Sequence, residues 1–304
     1  MAQKDIAEKT LEAFPDVFAD IVNVLLFSGR PVVKEDELEA ESPGSVYKAD
    51  GRLHAQERDI AKYWKKGMVR LAFLGMENQT APDPDMPLRL MGYDGAAYRA
   101  QLLSDKEGGN ARFPVVTLVL YFGHDRRWNR PLNLYGRLNV PEELKPYVND
   151  YRVNLFEIAF LEDEVVERFQ SDFRIVADYF SQMRKNKDYV APDATIRHVH
   201  ELLQLMTVMT GDDRYENAYS QEMERGQTTM CKVLDKVENR GIEIGIEKGI
   251  EKGIEKGIEA LILDNIENGF DRAKIVAKVV KRFGVSEEEA EGYYEKYALH
   301  MECV

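Results

Sequence analysis

The chain has 304 residues, and 44% of them are hydrophobic, which is enough for a sizeable core and excludes wholesale disorder. It carries 41 Lys and Arg against 54 Asp and Glu, and the net charge of −13 argues against a protein that coats nucleic acid non-specifically. No apolar run approaches the roughly 20 residues of a transmembrane helix, no secretory signal is recognisable, and two cysteines cannot build a disulfide scaffold or a cysteine-based zinc site. We therefore expect a cytoplasmic protein with no membrane partner.

The charge is distributed unevenly along the chain. Residues 48–137 contain 15 basic and 10 acidic side chains, a net of +5, although the chain as a whole is acidic. This stretch is the part of the first half that would favour a polyanion. A solvated surface of mixed charge is the alternative interpretation.

The first predicted element is an amphipathic helix over residues 5–27, where apolar side chains recur near the 3.6-residue period. Pro15 is expected to break this helix into two pieces, the second of which starts near Asp16. The Ser28-Gly29 pair ends it. An acidic loop over residues 34–44 follows.

Short strands are predicted next. Ser45–Ala49 precedes an Asp50-Gly51 turn, which is a strong hairpin signal. Asp59–Trp64 and Met68–Met76 flank a second turn at Lys65–Gly67. The second strand of that pair is too apolar for an edge, which indicates a central position in the sheet.

A helix over Leu88–Leu103 and a strand over Phe113–Phe122 complete the first half. The strand is a continuous run of β-branched and aromatic residues, FPVVTLVLYF. An order of helix, two or three strands, helix and strand predicts an α/β fold with a mixed sheet flanked by helices.

The second half lacks strand signals, so we expect an α-helical C-terminal extension after the α/β part. The predicted helices include Val165–Lys185 and Thr195–Thr210, and Ser286 with Glu289 forms a capping box for the last helix. The predicted domains are the α/β domain at residues 1–162, a helical extension at 163–240, a repeat at 241–257 and a small helical tail at 258–304.

The repeat, GIEIGIEKGIEKGIEKG, places an isoleucine at every fourth residue. Four residues advance a helix by about 400°, so the apolar seam drifts by about 40° per repeat. Each glycine weakens an isolated helix by about 1 kcal/mol relative to alanine. Two interpretations stay open: an oligomerisation stalk, which would make the protein a homo-oligomer, and a flexible spacer.

Two acidic residues are candidates for a metal site. Asp59 opens one predicted strand and Glu77 ends the next, so antiparallel pairing would bring both carboxylates to one end of the sheet. Such oxygen ligands suit Mg²⁺ or Mn²⁺, which keep several waters and leave room for a phosphate oxygen. Gln79 shares the face of Glu77, whereas Asn78 points to the other face and offers its backbone carbonyl as a ligand. The implied chemistry is metal-assisted phosphodiester hydrolysis. The alternative is an unrelated surface Asp and strand-end Glu.

Several motifs surround these acids. They are Asp59, Glu77-Asn78-Gln79, Pro82-Asp83-Pro84, Met86-Pro87-Leu88-Arg89, Tyr93, Val119-Leu120-Tyr121-Phe122-Gly123 and Trp128. In this order they resemble the Rpn family of recombination-promoting nucleases, also labelled transposases, which belongs to the PD-(D/E)XK nuclease superfamily. The resemblance covers about residues 15–165, and a tail of I-E-K-G repeats is also a feature of that family.

The resemblance implies a restriction-endonuclease-like sheet and a Mg²⁺-dependent (or Mn²⁺-dependent) endonuclease that acts on double-stranded DNA, in recombination or in mobile elements. It implies that Asp59 and Glu77 are catalytic metal ligands. Gln79 stands where the superfamily has a catalytic lysine. A neutral amide offers a phosphate only a dipole, which favours slow turnover.

The resemblance also suggests residues around the predicted metal. Arg89 and Tyr93 are four apart on one helix face and are predicted to contact a phosphate, the alternative being a surface pair that packs on the sheet. Asp20 is predicted to reach the metal through water, and the alternative is a plain solvent-facing acid.

Three arginines follow the strongest strand. Arg126, Arg127 and Arg130 surround Trp128 and are predicted to bind the DNA backbone. For Trp128 itself we favour packing on the core.

Two rival functions stay open. The first is a catalytically weak or inactive relative that binds DNA or protein, which the net charge and Gln79 both allow. The second is a recombinase-like protein that joins strands by transesterification.

Overall fold

The computed structural model describes residues 10–40, 44–49, 52–57, 59–104, 112–186, 189–191, 194–219 and 228–301. The chain forms two compact units, residues 1–235 and residues 236–304. The finer division into four segments stays a prediction. Among the described residues, no helix combines the length and the apolarity needed to cross a lipid bilayer.

The strands of the first unit form one five-stranded sheet and two small ribbons. In chain order they are β1 Leu38–Ala40, β2 Gly44–Ala49, β3 Arg52–Glu57, β4 Ile60–Lys66, β5 Val69–Gln79, β6 Val115–Tyr121, β7 Asn154–Glu157, β8 Thr195–Ile196 and β9 Thr228–Thr229. The main sheet has the order β1-β4-β5-β6-β7. Strands β1, β4 and β5 pair antiparallel, whereas β6 and β7 run parallel to β5. The sheet is therefore mixed, as the sequence predicts.

The helices account for most of the rest of the chain. They are α1 Pro15–Phe27, α2 Met86–Ser104, α3 Leu134–Arg137, α4 Asp163–Val166, α5 Phe173–Asn186, α6 Val199–Thr210, α7 Arg214–Ala218, α8 Met230–Glu267, α9 Arg272–Phe283 and α10 Glu287–Met301. Short 3₁₀ helices cover Glu35–Glu37, Glu142–Tyr147 and Ile158–Phe160. The predicted fold class, an α/β sheet flanked by helices and followed by a helical extension, is confirmed.

The two faces of the main sheet pack against different helices. On one face, which we call the α1 side, Phe122 packs against the rings of Phe173 and Phe180 of α5, and the buried Lys62 has its Nζ 5.6 Å from the ring centroid of Phe18 in α1. On the other face, the α2 side, the buried residues Met86, Leu90 and Tyr93 of α2 form one cluster with Val119 of β6. Successive side chains of β5 therefore lie alternately on the α1 side and the α2 side of the sheet.

The start and end of α1 follow the local sequence. Pro15 is the first residue of the helix, where its missing N–H removes no hydrogen bond. Ser28 ends the helix in a left-handed conformation with φ of 57°, and Gly29 continues it with φ of 85°. Residues 10–12 are also helical, so Pro15 divides two pieces as predicted, although residues 5–9 lie outside the described part of the chain.

The first hairpin is visible through its register. Strands β2 and β3 pair antiparallel with Ala49 opposite Arg52, which leaves two residues for the connection. The predicted turn at Asp50 and Gly51 itself lies outside the described residues.

Two helix predictions in the first unit are wrong. Val165–Lys185 is not one helix, because Asp20 accepts hydrogen bonds from the backbone N–H groups of Gln170 and Ser171 at 2.8 and 2.7 Å and so holds a turn between α4 and α5. Thr195 does not begin a helix, because it lies in β8 and pairs with β9. These contacts come from residues distant in the chain.

The second unit contains α8 from Lys236 onward, together with α9 and α10. Ile258, Ile262, Ile275, Val279 and Tyr297 form its buried cluster. The capping box before α10 is confirmed: the hydroxyl and the backbone N–H of Ser286 both donate to Glu289 Oε2, and the N–H of Glu289 donates back to Ser286 Oγ at 3.2 Å. The isoleucine repeat lies within α8 and is helical throughout.

Candidate active site

The two predicted metal ligands come to the same end of the sheet. Ile60 pairs with Met76 in the antiparallel β4–β5 ladder, so Asp59 and Glu77 follow in adjacent register. The backbone N–H of Asn78 donates to Asp59 Oδ2 at 2.6 Å. The side chain of Asp59 therefore reaches across to β5 immediately beside Glu77, as antiparallel pairing of the two strands predicts.

Glu77 and Gln79 project together on the α2 side. The side chain of Glu77 is only 2% exposed, and Gln79 Nε2 donates to its Oε1 at 3.3 Å. The Asn78 side chain points to the α1 side, where its Nδ2 donates to Glu12 Oε2 at 2.7 Å. The predicted alternation of these three side chains is thus present in the structure.

Arg89 of α2 is the positive charge closest to this acidic centre. Its Nη2 forms a salt bridge with Glu77 Oε1, and its Nη1 donates to Asp83 Oδ2 at 2.9 Å. The same Nη2 lies 3.1 Å from the hydroxyl of Tyr93. Burial alone would lower the pKa of Arg89, but the charge of Glu77 and the hydrogen bonds to Asp83 and Tyr93 outweigh it and raise the pKa. The guanidinium is thus firmly cationic.

The pKa of Tyr93 is affected by both acids. Its pKa is raised, first by burial and then by the negative charges of Glu77 and, more weakly, Asp59, against the opposing effect of Arg89. The hydroxyl of Tyr93 also shares Arg89 Nη2 with Glu77, which places it beside this acid. Arg89 and Tyr93, four residues apart on α2, therefore face the same site as the two acids.

The donor set determines which metal could be held. Among the residues that the structure describes, no three or more His, Cys, Asp or Glu side chains are grouped to hold a metal ion. Mg²⁺ differs from zinc or calcium in this respect, because it is commonly bound by one or two carboxylates, with waters and substrate phosphates completing the octahedron. The carboxylates of Asp59 and Glu77 fit a site of that kind.

The loop after β6 lies at the same end of the sheet as Glu77 and Gln79. Because β5 and β6 are parallel, with Gln79 opposite Tyr121, the residues after Tyr121 follow at the end of the sheet that carries Glu77. Gly123 is required there, since a Cβ at this position would lie 2.1 Å from the Tyr121 hydroxyl. That hydroxyl donates to the backbone carbonyl of Arg126 at 3.0 Å and so fixes the arginine loop.

The arginines of this loop have different environments. Arg127 Nη1 donates to Glu157 Oε2 at 2.9 Å, and its guanidinium lies 4.7 Å from the ring of Phe160, so this side chain is engaged within the fold. Arg126 and Arg130 are exposed. Trp128 is partly buried and packs edge-on against Tyr121 with ring centroids 5.4 Å apart, which confirms that it packs on the core.

Asp20 does not lie with Asp59 and Glu77. Its Oδ2 accepts from Ser171 Oγ at 2.7 Å as well as from the N–H groups that hold the turn before α5. It lines a cavity of about 350 Å³ together with Asp16, Asp172 and Arg197. Asp20 is on α1, across the sheet from Glu77, so the structure places it in a different cluster from Asp59 and Glu77.

Sequence reasoning missed two residues that touch the site. Asp83, within the Pro82-Asp83-Pro84 motif, binds Arg89 and also accepts from the N–H of Asp85 at 2.8 Å at the start of α2. An Asp just before a helix is a recognisable start signal, so its position could have been found. Glu12, which binds Asn78, is 66 positions away in the chain and carries no local signal.

The fold and this site define an α/β protein with paired acids at the ends of two adjacent strands. The family model described as "Putative transposase, YhgA-like" matches residues 64–212. This match confirms, over residues 64–212, the family resemblance found from the sequence. No curated protein matches the chain, and no solved structure matches it either.

Proposed function

We propose that the protein is a metal-dependent DNA endonuclease. The observation that carries the proposal is the convergence of Asp59 and Glu77 at one end of β4 and β5, with Arg89 and Tyr93 of α2 beside Glu77. The family match supports an association with mobile elements or DNA recombination. The acids, an amide and an arginine around one point are the groups that phosphodiester hydrolysis needs.

Each side chain has a proposed role. Asp59 and Glu77 would hold Mg²⁺ or Mn²⁺, with the backbone carbonyl of Asn78 as a further oxygen ligand. When bound, the metal would supply Lewis acidity and lower the pKa of a coordinated water. Gln79, beside Glu77, would orient the attacking water or a phosphate oxygen through its amide. Tyr93 would hydrogen-bond a phosphate oxygen.

Double-stranded DNA is the proposed substrate. The stretch 48–137, which has five more basic than acidic side chains, contains both the acids and the arginine loop. Arg126 and Arg130 are exposed in the loop that follows β6 and would bind the DNA backbone. Arg127 is held by Glu157, so we expect it to order the loop and to contribute less to DNA affinity.

Cleavage of supercoiled plasmid tests the proposal. We expect Mg²⁺- or Mn²⁺-dependent nicking or linearisation by the wild type, and loss of at least a hundredfold in Asp59→Ala and Glu77→Ala. Glu164→Ala, which removes an exposed carboxylate elsewhere, is the matched control and should cut as the wild type does. Equal cutting by the wild type and both site variants would mean that the activity does not belong to this site.

The same assay separates the rival functions. A non-catalytic relative would retain DNA in a mobility-shift assay while no condition yields cleavage, and the Gln79 amide keeps that candidate open. A recombinase-like activity would instead join a labelled oligonucleotide to a second duplex. Cleavage with free 3′ and 5′ ends and no joined product supports hydrolysis.

Self-association through α8 is part of the proposal. Ile242, Ile246, Ile250 and Ile254 are between 41% and 58% exposed, although the next isoleucines of the series are buried. Gly249 and Gly253 have no atom within 4 Å of where a Cβ would stand, which leaves room for a partner helix to approach closely. Alternating Glu and Lys beside this apolar stripe suit pairing with a second copy.

A further inference from the structure

Arg89 is a positively charged residue in direct contact with the buried Glu77. Glu77 is 2% exposed and lies on a face otherwise packed with α2, where an ionised carboxylate needs a nearby cation. The Arg89 guanidinium meets this need directly through Nη2. The pair therefore stabilises the site in the form that the structure describes.

The same arrangement conflicts with metal binding. A divalent cation held by Glu77 would stand next to the guanidinium, and two cations at one carboxylate repel each other. Glu77 Oε1 already accepts from Arg89 and from Gln79 Nε2. A metal at Glu77 would therefore compete with the Arg89 guanidinium for the negative charge of this carboxylate.

Arg89 also contacts a second acid that lies nearer to solvent. Asp83 holds its Nη1 at 2.9 Å and is itself 24% exposed, nearer to solvent than Glu77. The Arg89 side chain is 37% exposed, so its guanidinium can turn outward from Glu77 without crossing the core. A guanidinium released there is well suited to a DNA phosphate, which it can bind with two parallel hydrogen bonds.

We propose that Arg89 is a positioning residue that acts as a built-in counter-ion: it occupies Glu77 in the metal-free protein, must release it before a metal is held, and then pairs with a phosphate of the bound DNA. Metal and DNA would therefore bind cooperatively. This inference rests on the proposed metal site at Asp59 and Glu77, and it adds that the site is disfavoured for metal until DNA is present.

Mn²⁺ binding to the full chain, followed by electron paramagnetic resonance of the free ion, tests this inference without any need for turnover. We expect Arg89→Gln to bind Mn²⁺ at least fivefold more tightly than the wild type in the absence of DNA. Arg99→Gln removes an exposed arginine of the same helix and should leave the affinity unchanged. A phosphorothioate duplex that resists cleavage should tighten Mn²⁺ binding in the wild type by a larger factor than in Arg89→Gln.

The outcomes separate the inference from the function on which it rests. If Glu77→Gln abolishes Mn²⁺ binding but wild type and Arg89→Gln bind equally, the counter-ion role is overturned and the metal site survives. If Glu77→Gln binds Mn²⁺ as the wild type does, the metal site fails and the inference fails with it. Should Arg89→Gln not fold, Arg89→Lys keeps one charge without the planar fork and should show an intermediate affinity. An affinity of Arg89→Lys equal to that of the wild type contradicts the inference.

Discussion

Asp59 accepts a 2.6 Å hydrogen bond from the backbone N–H of Asn78, which joins the residue before β4 to the end of β5. This bond fixes the Asp59 carboxylate beside the peptide that follows Glu77. A single contact thus aligns one proposed ligand with the backbone of the other. The carboxylate of Asp59 consequently has a structural as well as a proposed catalytic role.

These two roles can be separated by two substitutions of Asp59. Asp59→Asn keeps an oxygen that can accept the Asn78 N–H, so its free energy of unfolding should stay near that of the wild type. Asp59→Ala leaves that N–H without its acceptor, and we expect a loss of about 1 kcal/mol. Metal-dependent cleavage should disappear in both variants, because each removes the charge. Urea unfolding measures the stability of both variants, and plasmid cleavage measures their activity. An active Asp59→Asn would rule out a ligand role for Asp59.

A second prediction concerns the buried bond between Asn78 and Glu12. Glu12 is 2% exposed and Asn78 is 8% exposed, so neither can exchange its partner for water. Glu12→Ala should lower the free energy of unfolding by about 1–3 kcal/mol. Glu12→Gln keeps an acceptor oxygen and should cost less. Tryptophan fluorescence reports this unit, since Trp64 and Trp128 both lie within residues 1–235. Unchanged urea midpoints in both variants would show that this bond does not stabilise the site.

The sequence predicts the part of the site that local pattern determines. Asp59 before a strand and Glu77 at the end of the next suffice to place both acids at one sheet end, and the alternation of Glu77, Asn78 and Gln79 assigns their faces. Strand β6 is predicted by its continuous run of β-branched and aromatic residues. In contrast, β1 and β7 have only three and four residues and no apolar alternation, so nothing local distinguishes them from loops.

Contacts between distant segments are what the sequence leaves undetermined. The salt bridge of Arg89 with Glu77 depends on how α2 docks on β5, and no spacing rule specifies that. Asp20 illustrates the same limit, because the backbone N–H groups that donate to it lie about 150 positions away in the chain, at Gln170 and Ser171. A helix pattern that is locally valid over 165–185 is interrupted for that reason.

A third prediction concerns acid stability. Burial would raise the pKa of Asp16, but the hydrogen bond and charge of His198, aided by Arg197, outweigh it and lower the pKa below 3.8. A lowered folded-state pKa stabilises the protein above about pH 4, and this stabilisation is lost as the pH falls through the folded value. Burial raises the pKa of Asp172 above 3.8 despite hydrogen bonds from the backbone of Arg197 and His198, so its contribution is lost as the pH rises.

Substitution of the two aspartates should therefore change the free energy of unfolding, relative to the wild type, in opposite directions as the pH rises. Relative to the wild type, Asp16→Asn should lose stability above about pH 4 and recover towards lower pH. Asp172→Asn should instead improve relative to the wild type as the pH rises above 3.8. Urea unfolding followed by tryptophan fluorescence between about pH 3 and pH 7 measures both differences. Slopes of the same sign would contradict the assigned environments.

A fourth prediction separates the exposed and buried isoleucines of α8. Ile258 is fully buried, and Ile258→Ala should cost the second unit about 2–5 kcal/mol. Ile250 is 58% exposed, so Ile250→Asp together with Ile254→Asp should leave the folding of the unit intact while lowering the mass of the assembly. Circular dichroism and light scattering after gel filtration give the two readouts. An unchanged mass in the double variant would mean that the repeat does not assemble the protein.

The position of a bound metal tests directly whether Asp59 and Glu77 form one metal site. We would crystallise the protein, soak it with Mn²⁺ and collect data at a wavelength where manganese scatters anomalously. We expect one anomalous peak within about 2.0–2.3 Å of carboxylate oxygens from both Asp59 and Glu77, with Arg89 turned away from Glu77. A well-occupied peak elsewhere, or none at this position at saturating Mn²⁺, would contradict this expectation.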